Sequence, residues 1–238
     1  MKKFGLIGKD LQHSFSKIFF NKKFQKLNLY HHSYNNYEIN NINEVINIID
    51  QENLIGLNIT IPYKKEIIKI LDIISDEVKS IKSVNTIKIE NKKLIGYNTD
   101  VIGFEQSIMP IIGNRKNALI LGDGGASNAV QYVLKKNKIN FKVVSRKGKN
   151  KYQDLNDQDI ISNEIIINTT PLGMNPNSQT FPNIKYDLLN KKHLVYDLIY
   201  NPKETLFLQK AKNKGCQTKN GNEMLKIQAN ESWKIWNH

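Results

Sequence analysis

The chain predicts an α/β fold, and three observations carry that expectation. Short apolar runs of strand length alternate with stretches whose apolar residues recur at helical spacing. Residues 117–149 read without interruption as strand, glycine turn, helix, strand. At 238 residues the length suits one large domain or two small ones, and 39% hydrophobic content is enough for a core.

Taken in order, residues 4–8 are an apolar strand closing on glycine. A polar loop with Ser14 and Ser16 follows, then a helix over 18–27. The two serines thus lie beyond a strand's carboxyl end, where α/β sheets place ligand contacts, although serine at such a point also serves as a helix cap. Residues 30–39 alternate as a strand, and Ile42, Val45, Ile46 and Ile49 mark a helix. Residues 54–61 form a strand running into Pro62, which is expected to open a helix through Leu71. Asn58, Thr60 and Lys64 converge at that junction. A short helix over 75–81 precedes a β-hairpin, 84–90 and 93–98, turning at Asn91-Lys92. Asp100 then sits at the N-cap of a helix over 101–109, which Pro110 and Gly113 break.

The second half opens on the strand–turn–helix–strand unit. Residues 118–121 are strand, Gly122-Asp123-Gly124-Gly125 the turn, 126–136 the helix and 141–144 the second strand. Glycines at this turn let a pyrophosphate approach a helix N-terminus without Cβ obstruction. Gly122 and Gly124 occupy the first two glycine positions of a dinucleotide fingerprint, while Ser127 takes the third. After the second strand, where a carboxylate would hold a ribose hydroxyl, the chain places Ser145-Arg146-Lys147. Two cations there suit a 2′-phosphate and point to NADP; the alternative is a solvated basic loop. Residues 150–163 carry no clear periodicity. A strand over 164–167 leads to Asn168-Thr169-Thr170-Pro171-Leu172-Gly173, loop chemistry of a kind found beside a cofactor. A strand over 194–198, a helix over 204–214 stopped by Gly215, and an amphipathic helix over 222–236 complete the chain.

The formal charge of +13 permits nucleic-acid binding, but the lysines are scattered and form no basic stripe interleaved with aromatics. The single cysteine, Cys216, excludes an intrachain disulfide and a multi-cysteine metal site, and is read as a core residue. No apolar run approaches the length of a membrane span, and the N-terminus has no signal-peptide pattern, so a cytoplasmic protein is expected.

In order and spacing, these segments resemble one family, the shikimate dehydrogenases, over nearly the whole chain. The fingerprints are His13-Ser14-Phe15-Ser16; Gly56-Leu57-Asn58-Ile59-Thr60-Ile61-Pro62-Tyr63-Lys64; Val84-Asn85-Thr86; and Asn98-Thr99-Asp100 with Gly103. They continue with Gly122, Gly124, Gly125 and Ala126; residues 168–174; Asp197 to Tyr200 with Pro202 and Thr205; and Gly221 with Met224, Leu225 and Gln228. The resemblance implies two α/β domains with a cleft between them. Residues 1–100 plus the C-terminal helix 221–238 would be the substrate domain, and residues 101–220 a Rossmann-like NADP-binding domain. It implies reversible NADPH-dependent reduction of 3-dehydroshikimate to shikimate, in aromatic amino acid biosynthesis. Carried over by motif, Lys64 and Asp100 are the catalytic pair, and Ser14, Ser16, Thr60, Asn85, Tyr200 and Gln228 bind substrate. Gly122, Asp123, Gly124, Gly125, Ala126, Ser145, Arg146, Lys147, Thr169 and Gly221 fall to the cofactor. No metal is implied, and the chain is expected as a monomer or homodimer with small-molecule partners, without nucleic acid or membrane.

Some positions depart from the family pattern. Lys17 stands where proline is usual and Phe20 where histidine is common nearby. Asp123 replaces alanine in the phosphate turn, which is expected to weaken cofactor affinity, and Ser145 replaces asparagine ahead of Arg146. An NAD-dependent quinate/shikimate dehydrogenase is the nearest alternative, which Arg146 and Lys147 argue against. Methylene-tetrahydrofolate dehydrogenase shares the domain plan but lacks the serine and Asn-Thr-Asp pairings. A basic nucleic-acid-binding protein would account for the charge and leave the motifs unexplained. A ligand-binding relative without turnover is disfavoured by Lys64 and Asp100.

Overall fold

The computed structural model describes residues 1–12 and 14–238; His13, of the first fingerprint, lies outside the described residues. The chain divides into two compact units, one of Met1–Thr99 with Gln228–His238, the other Asp100–Ile227.

The first unit contains β1 (Lys2–Gly8), α1 (Phe15–Lys26), β2 (His32–Glu38), α2 (Glu44–Glu52) and β3 (Leu54–Ile59). A 3-10 turn at Glu66–Ile70, β4 (Ile73–Ile74), α3 (Asp76–Ile81), β5 (Thr86–Glu90) and β6 (Lys93–Tyr97) follow. The sheet order is β2-β1-β3-β5-β6-β4. β1 lies parallel to both β2 and β3, with Leu6 beside Asn58 and Ile7 beside Ile59. The hairpin β5–β6 adds antiparallel strands, and its turn residues Asn91 and Lys92 both hold positive φ, 50° and 61°, as a tight primed turn demands. Alternation along β1 splits the core. Ile7 faces an aliphatic layer with Val45, Leu57, Ile59 and Ile67. Phe4 and Leu6 face an aromatic layer with Phe20, Phe24, Tyr34 and Trp236, in which the indole of Trp236 stacks on Phe4 at 4.8 Å.

Pro62 does not open an α-helix. The chain turns and then forms the short 3-10 segment. The Lys64 carbonyl, which an α-helix would share with residue 68, accepts the Val84 amide at 2.8 Å instead.

The second unit carries α4 from Asp100 onward (Thr99–Ile112), β7 (Asn117–Leu121), α5 (Gly125–Lys136), β8 (Asn140–Val144), α6 (Asp157–Ile161), β9 (Ile165–Asn168), β10 (Leu194–Asp197), α7 (Leu206–Lys212) and β11 (Gln217–Lys219). α8 (Asn222–Asn237) begins in this unit and ends in the first. The five strands run parallel in the order β11-β10-β9-β7-β8. α4 passes through Pro110 to Ile112, contrary to the break expected from sequence. Val101, Phe104, Ile108 and Ile112 form one buried face, and that packing outweighs the hydrogen bond the proline removes. The turn comes at Gly113, with φ +60°. The unassigned stretch after β8 contains α6, capped by reciprocal bonds between Asn156 and Asp159. β11, three residues long, has no counterpart in the sequence pattern.

Gly56 lies in β3 under the C-terminal helix. A Cβ there would meet three atoms of the Trp236 indole at 2.5–2.7 Å, and that indole donates to the Ile87 carbonyl at 2.9 Å. Gly56→Ala is expected to displace the ring and destabilise the protein by about 1–3 kcal/mol. Urea unfolding followed by tryptophan fluorescence checks this; an unchanged midpoint contradicts it.

Candidate active site

In the first unit the chain leaves β1, forms β2 on one side, and returns as β3 on the other. The carboxyl ends of β1 and β3 are therefore adjacent, the switch point at which α/β sheets bind ligands. Ser14 and Ser16 follow the first end, Thr60 and Lys64 the second. Thr60 is tied to β1 by its amide, which donates to the Ile7 carbonyl at 2.9 Å. Ser14 occupies the N-cap position of α1 but makes no side-chain cap bond. Its hydroxyl is buried and has no hydrogen-bond partner among the described residues. A buried polar group left so is costly unless a ligand or water completes it. Lys64 is half-buried, and its carbonyl bond to Val84 holds it beside Asn85.

Beneath these residues lies a polar cluster built of amides and hydroxyls. Asn58 Nδ2 donates to the Asn85 carbonyl, Thr86 Oγ1 and Ser232 Oγ at 3.2, 3.1 and 3.0 Å. Its Oδ1 accepts the Tyr34 phenol at 2.8 Å. Asn85, 3% exposed, accepts the Thr99 amide on Oδ1 at 2.7 Å, and its Nδ2 donates to Thr99 Oγ1 and to Gln228 Oε1 at 3.0 and 3.1 Å. Asn85 and Gln228, expected at the substrate, are therefore brought together. Tyr34 and Ser232 were given no role by sequence. Burial pushes the Tyr34 phenol far above its usual range, against a hydrogen bond with Ser16, so it stays protonated and can donate. Asp100 is buried inside the first turn of α4 rather than at its cap, where a carboxylate complements the helix N-terminus.

In the second unit the carboxyl ends of β7 and β9 form the corresponding switch point. Gly122 follows β7 with φ +110°, and a Cβ there would meet Thr169 Oγ1 at 2.6 Å. Only glycine allows this turn to pass so close to the β9 loop. Gly124 holds the N-cap of α5 without a side-chain cap bond, and the space where its Cβ would project is open. A helix N-terminus without a side-chain cap, with open space at Gly124, fits a pyrophosphate. After β8, Ser145 Oγ donates to Asp123 Oδ2 and accepts the Gly148 amide, both at 2.8 Å, while Arg146 and Lys147 are exposed. The glycine turn and the basic loop are thus joined. Gly221 is explained locally: its Cβ position lies 2.0 Å from the Leu198 carbonyl oxygen, so the backbones approach too closely for any side chain. Tyr200 is half-buried shortly beyond β10.

The loop after β9 is held by a group that the motif reading left without a role. Asp197, fully buried, accepts Asn168 Nδ2 and the Ile199 amide on Oδ1 at 3.0 and 3.1 Å, and the Thr205 hydroxyl on Oδ2 at 2.6 Å. Asn168 Oδ1 in turn accepts the Thr170 amide and hydroxyl at 3.0 and 2.6 Å. Cys216 is buried, its thiol pKa pushed up by desolvation, as befits a core residue and not a nucleophile. Among the described residues no group of three His, Cys, Asp or Glu is placed to hold a metal ion, and no helix is long and apolar enough to cross a membrane.

A parallel sheet with a dinucleotide-type glycine turn at its switch point, and a mixed sheet with hydroxyls, amides and a lysine at its own, define a class: a nucleotide-dependent α/β enzyme with a small polar substrate. Residues 6–87 match the model of the shikimate dehydrogenase substrate binding domain. A shikimate dehydrogenase (NADP(+)) of Methanococcus aeolicus is 44% identical, the alignment covering 99% of this chain and 91% of that protein. A solved shikimate dehydrogenase in complex with NADP+ is similar with a TM-score of 0.86 at 37% identity, over 99% of this chain and 90% of that one. Shikimate 5-dehydrogenase from Thermus thermophilus, solved in complex with NADP(H) and shikimate, gives 0.85 at 26%, over 99% and 93%. The chain belongs to the shikimate dehydrogenase family.

Desolvation raises the Asp197 carboxyl from its ordinary 3.8 to about 7, against the opposing pull of Thr205, the Ile199 amide and Asn168. The folded state therefore binds this proton more tightly than the unfolded chain. The stabilisation is complete below about pH 4 and is lost as pH rises through about 7. Asp197→Asn keeps the Oδ1 acceptor and cannot ionise. Its unfolding free energy is expected to vary less between pH 4 and 7 than that of the parent; identical slopes contradict the assignment.

Proposed function

We propose that this chain catalyses the reversible NADPH-dependent reduction of 3-dehydroshikimate to shikimate, serving aromatic amino acid biosynthesis in the cytoplasm as a monomer or homodimer. The first unit takes the substrate and the second the cofactor. The observation that carries this reading is the buried Ser14 hydroxyl, without a partner among the described residues, which follows the same switch point as Thr60 and Lys64. Such a site presents hydroxyls, amides and one amine, and suits a polyhydroxylated acid because each hydroxyl and amide can both give and take hydrogen bonds.

When bound, NADPH supplies the hydride, and the protein's part is alignment and charge. Ser14 and Ser16 hold the substrate carboxylate. Thr60, Asn85, Tyr200 and Gln228 hold its ring hydroxyls. Reduction of the carbonyl builds negative charge on its oxygen; the Lys64 ammonium stabilises that charge and donates the proton. Asp100 serves as the partner carboxylate, accepting from a substrate hydroxyl. On the cofactor side, Gly122, Gly124, Gly125 and Ala126 offer backbone to the pyrophosphate. Asp123 and Ser145 fix the loop from which Arg146 and Lys147 meet the 2′-phosphate. Thr169 and Gly221 shape the wall near the cofactor.

Two outcomes are expected. Lys64→Ala lowers turnover by about two orders of magnitude or more with NADPH affinity little changed, as loss of an acid and oxyanion partner should; near-normal turnover refutes the role. Absorbance at the reduced-nicotinamide band shows oxidation of shikimate in preference to quinate and use of NADP in preference to NAD; the reverse preferences overturn the substrate and cofactor assignments separately.

A further inference from the structure

Gln228 and Ser232 stand four residues apart on α8 and share a face. Ser232 is fully buried, and its hydroxyl lies at the meeting of three elements. It accepts Asn58 Nδ2 at 3.0 Å from β3, lies 2.9 Å from Thr86 Oγ1 in β5 and 3.4 Å from Thr99 Oγ1, and reaches the Gln228 carbonyl at 3.0 Å. A hydroxyl has one proton and two lone pairs, so these groups compete for it and hold it in one place. Asn58 passes the order on through Oδ1 to the Tyr34 phenol, which donates to it at 2.8 Å. A continuous hydrogen-bonded line therefore runs from Tyr34 through Asn58 and Ser232 to the main-chain carbonyl of Gln228, whose side chain is assigned to the substrate. Tyr34 and Ser232 are buried, and Asn58 between them is partly buried.

We propose that Ser232 and Tyr34 are positioning residues for the substrate, acting together through Asn58 to fix Gln228. The inference rests on the substrate reading given above. Ser232 sets the height of α8 against the hairpin, and the Asn85 amide then takes Gln228 Oε1 at 3.1 Å, which leaves Gln228 Nε2 as the donor toward a ligand. Removing the Ser232 hydroxyl orphans no donor on Asn58, because Nδ2 keeps the Asn85 carbonyl and Thr86. The fold should survive while Gln228 loses its register.

The test uses the full chain as wild type, Ser232→Ala, Tyr34→Phe and the double variant. Steady-state kinetics with shikimate and NADP and calorimetric titration with shikimate are the readouts. Ser232→Ala is expected to raise the shikimate KM and dissociation constant about tenfold, the size of one net hydrogen bond, with the NADP KM unmoved. Because both variants cut one line, the double variant should lose less than the product of the single losses. A shikimate KM unchanged in Ser232→Ala, a rise in both KM values alike, or losses that simply multiply would each overturn the proposal. Wild-type protein that neither binds nor oxidises shikimate would overturn the functional reading itself, whatever the variants do.

Discussion

The Asn58 side chain is the polar keystone of the first unit. It sits in β3 with donors and acceptors aimed at β2, β5 and α8, and every one of its amide atoms is used. Asn58 is partly buried, and an amide withdrawn from water is costly to leave half-satisfied. The surrounding elements are therefore fixed relative to each other by chemistry that permits one arrangement, where apolar packing alone would tolerate small slides. The consequence reaches the surface, because Thr60 and Lys64 follow directly from the strand that Asn58 anchors, and Gln228 from the helix that Ser232 anchors.

Each sheet obeys the same crossing rule. β1 goes out to β2 and back to β3; β7 goes out to β8 and back to β9. Right-handed crossovers in opposite directions leave a gap at the carboxyl ends of the central pair, and no strand covers it. The residues proposed to carry chemistry lie there in both units. In the first they are serines, a threonine and a lysine, suited to a small polar acid. In the second they are glycines and an uncapped helix N-terminus, suited to phosphate. Topology gives both sheets such a gap, and the glycine turn of the second is what suits it to a dinucleotide. NADP as cofactor and membership in the shikimate dehydrogenase family then agree with it.

Periodicity and turn chemistry made much of this legible from sequence. The βαβ unit, the Asn91-Lys92 hairpin and the terminal helix stand where their patterns put them, because each is specified by neighbours in the chain. The misjudged places are those where distant packing decides. Pro110 is carried inside α4 by a buried face contacting other elements. The segment after Pro62 is pulled off the helical path by Val84, a bond no local pattern reveals. β11 is too short to have a period. Among site residues, Tyr34 and Ser232 escaped because neither belongs to a recognisable motif. A signal for Ser232 did exist: it is a polar residue on the buried face that α8 forms with Ala229 and Trp236, and a serine there needs partners.

Asp123 shows how a residue unfavourable in isolation becomes useful in context. A carboxylate in a phosphate turn opposes the ligand's charge, and the sequence alone suggested weaker binding. In the structure one oxygen of that carboxylate is engaged by Ser145, and the same hydroxyl takes the Gly148 amide. A Cβ on Gly148 would stand 2.5 Å from that hydroxyl, so a side chain there would displace the Ser145 side chain from its two bonds. Asp123, Ser145 and Gly148 thus act as one device. The device ties down both ends of Ser145-Arg146-Lys147-Gly148, so the backbone that carries the two exposed cations is held in one turn, and less of it would have to be ordered on binding an anion.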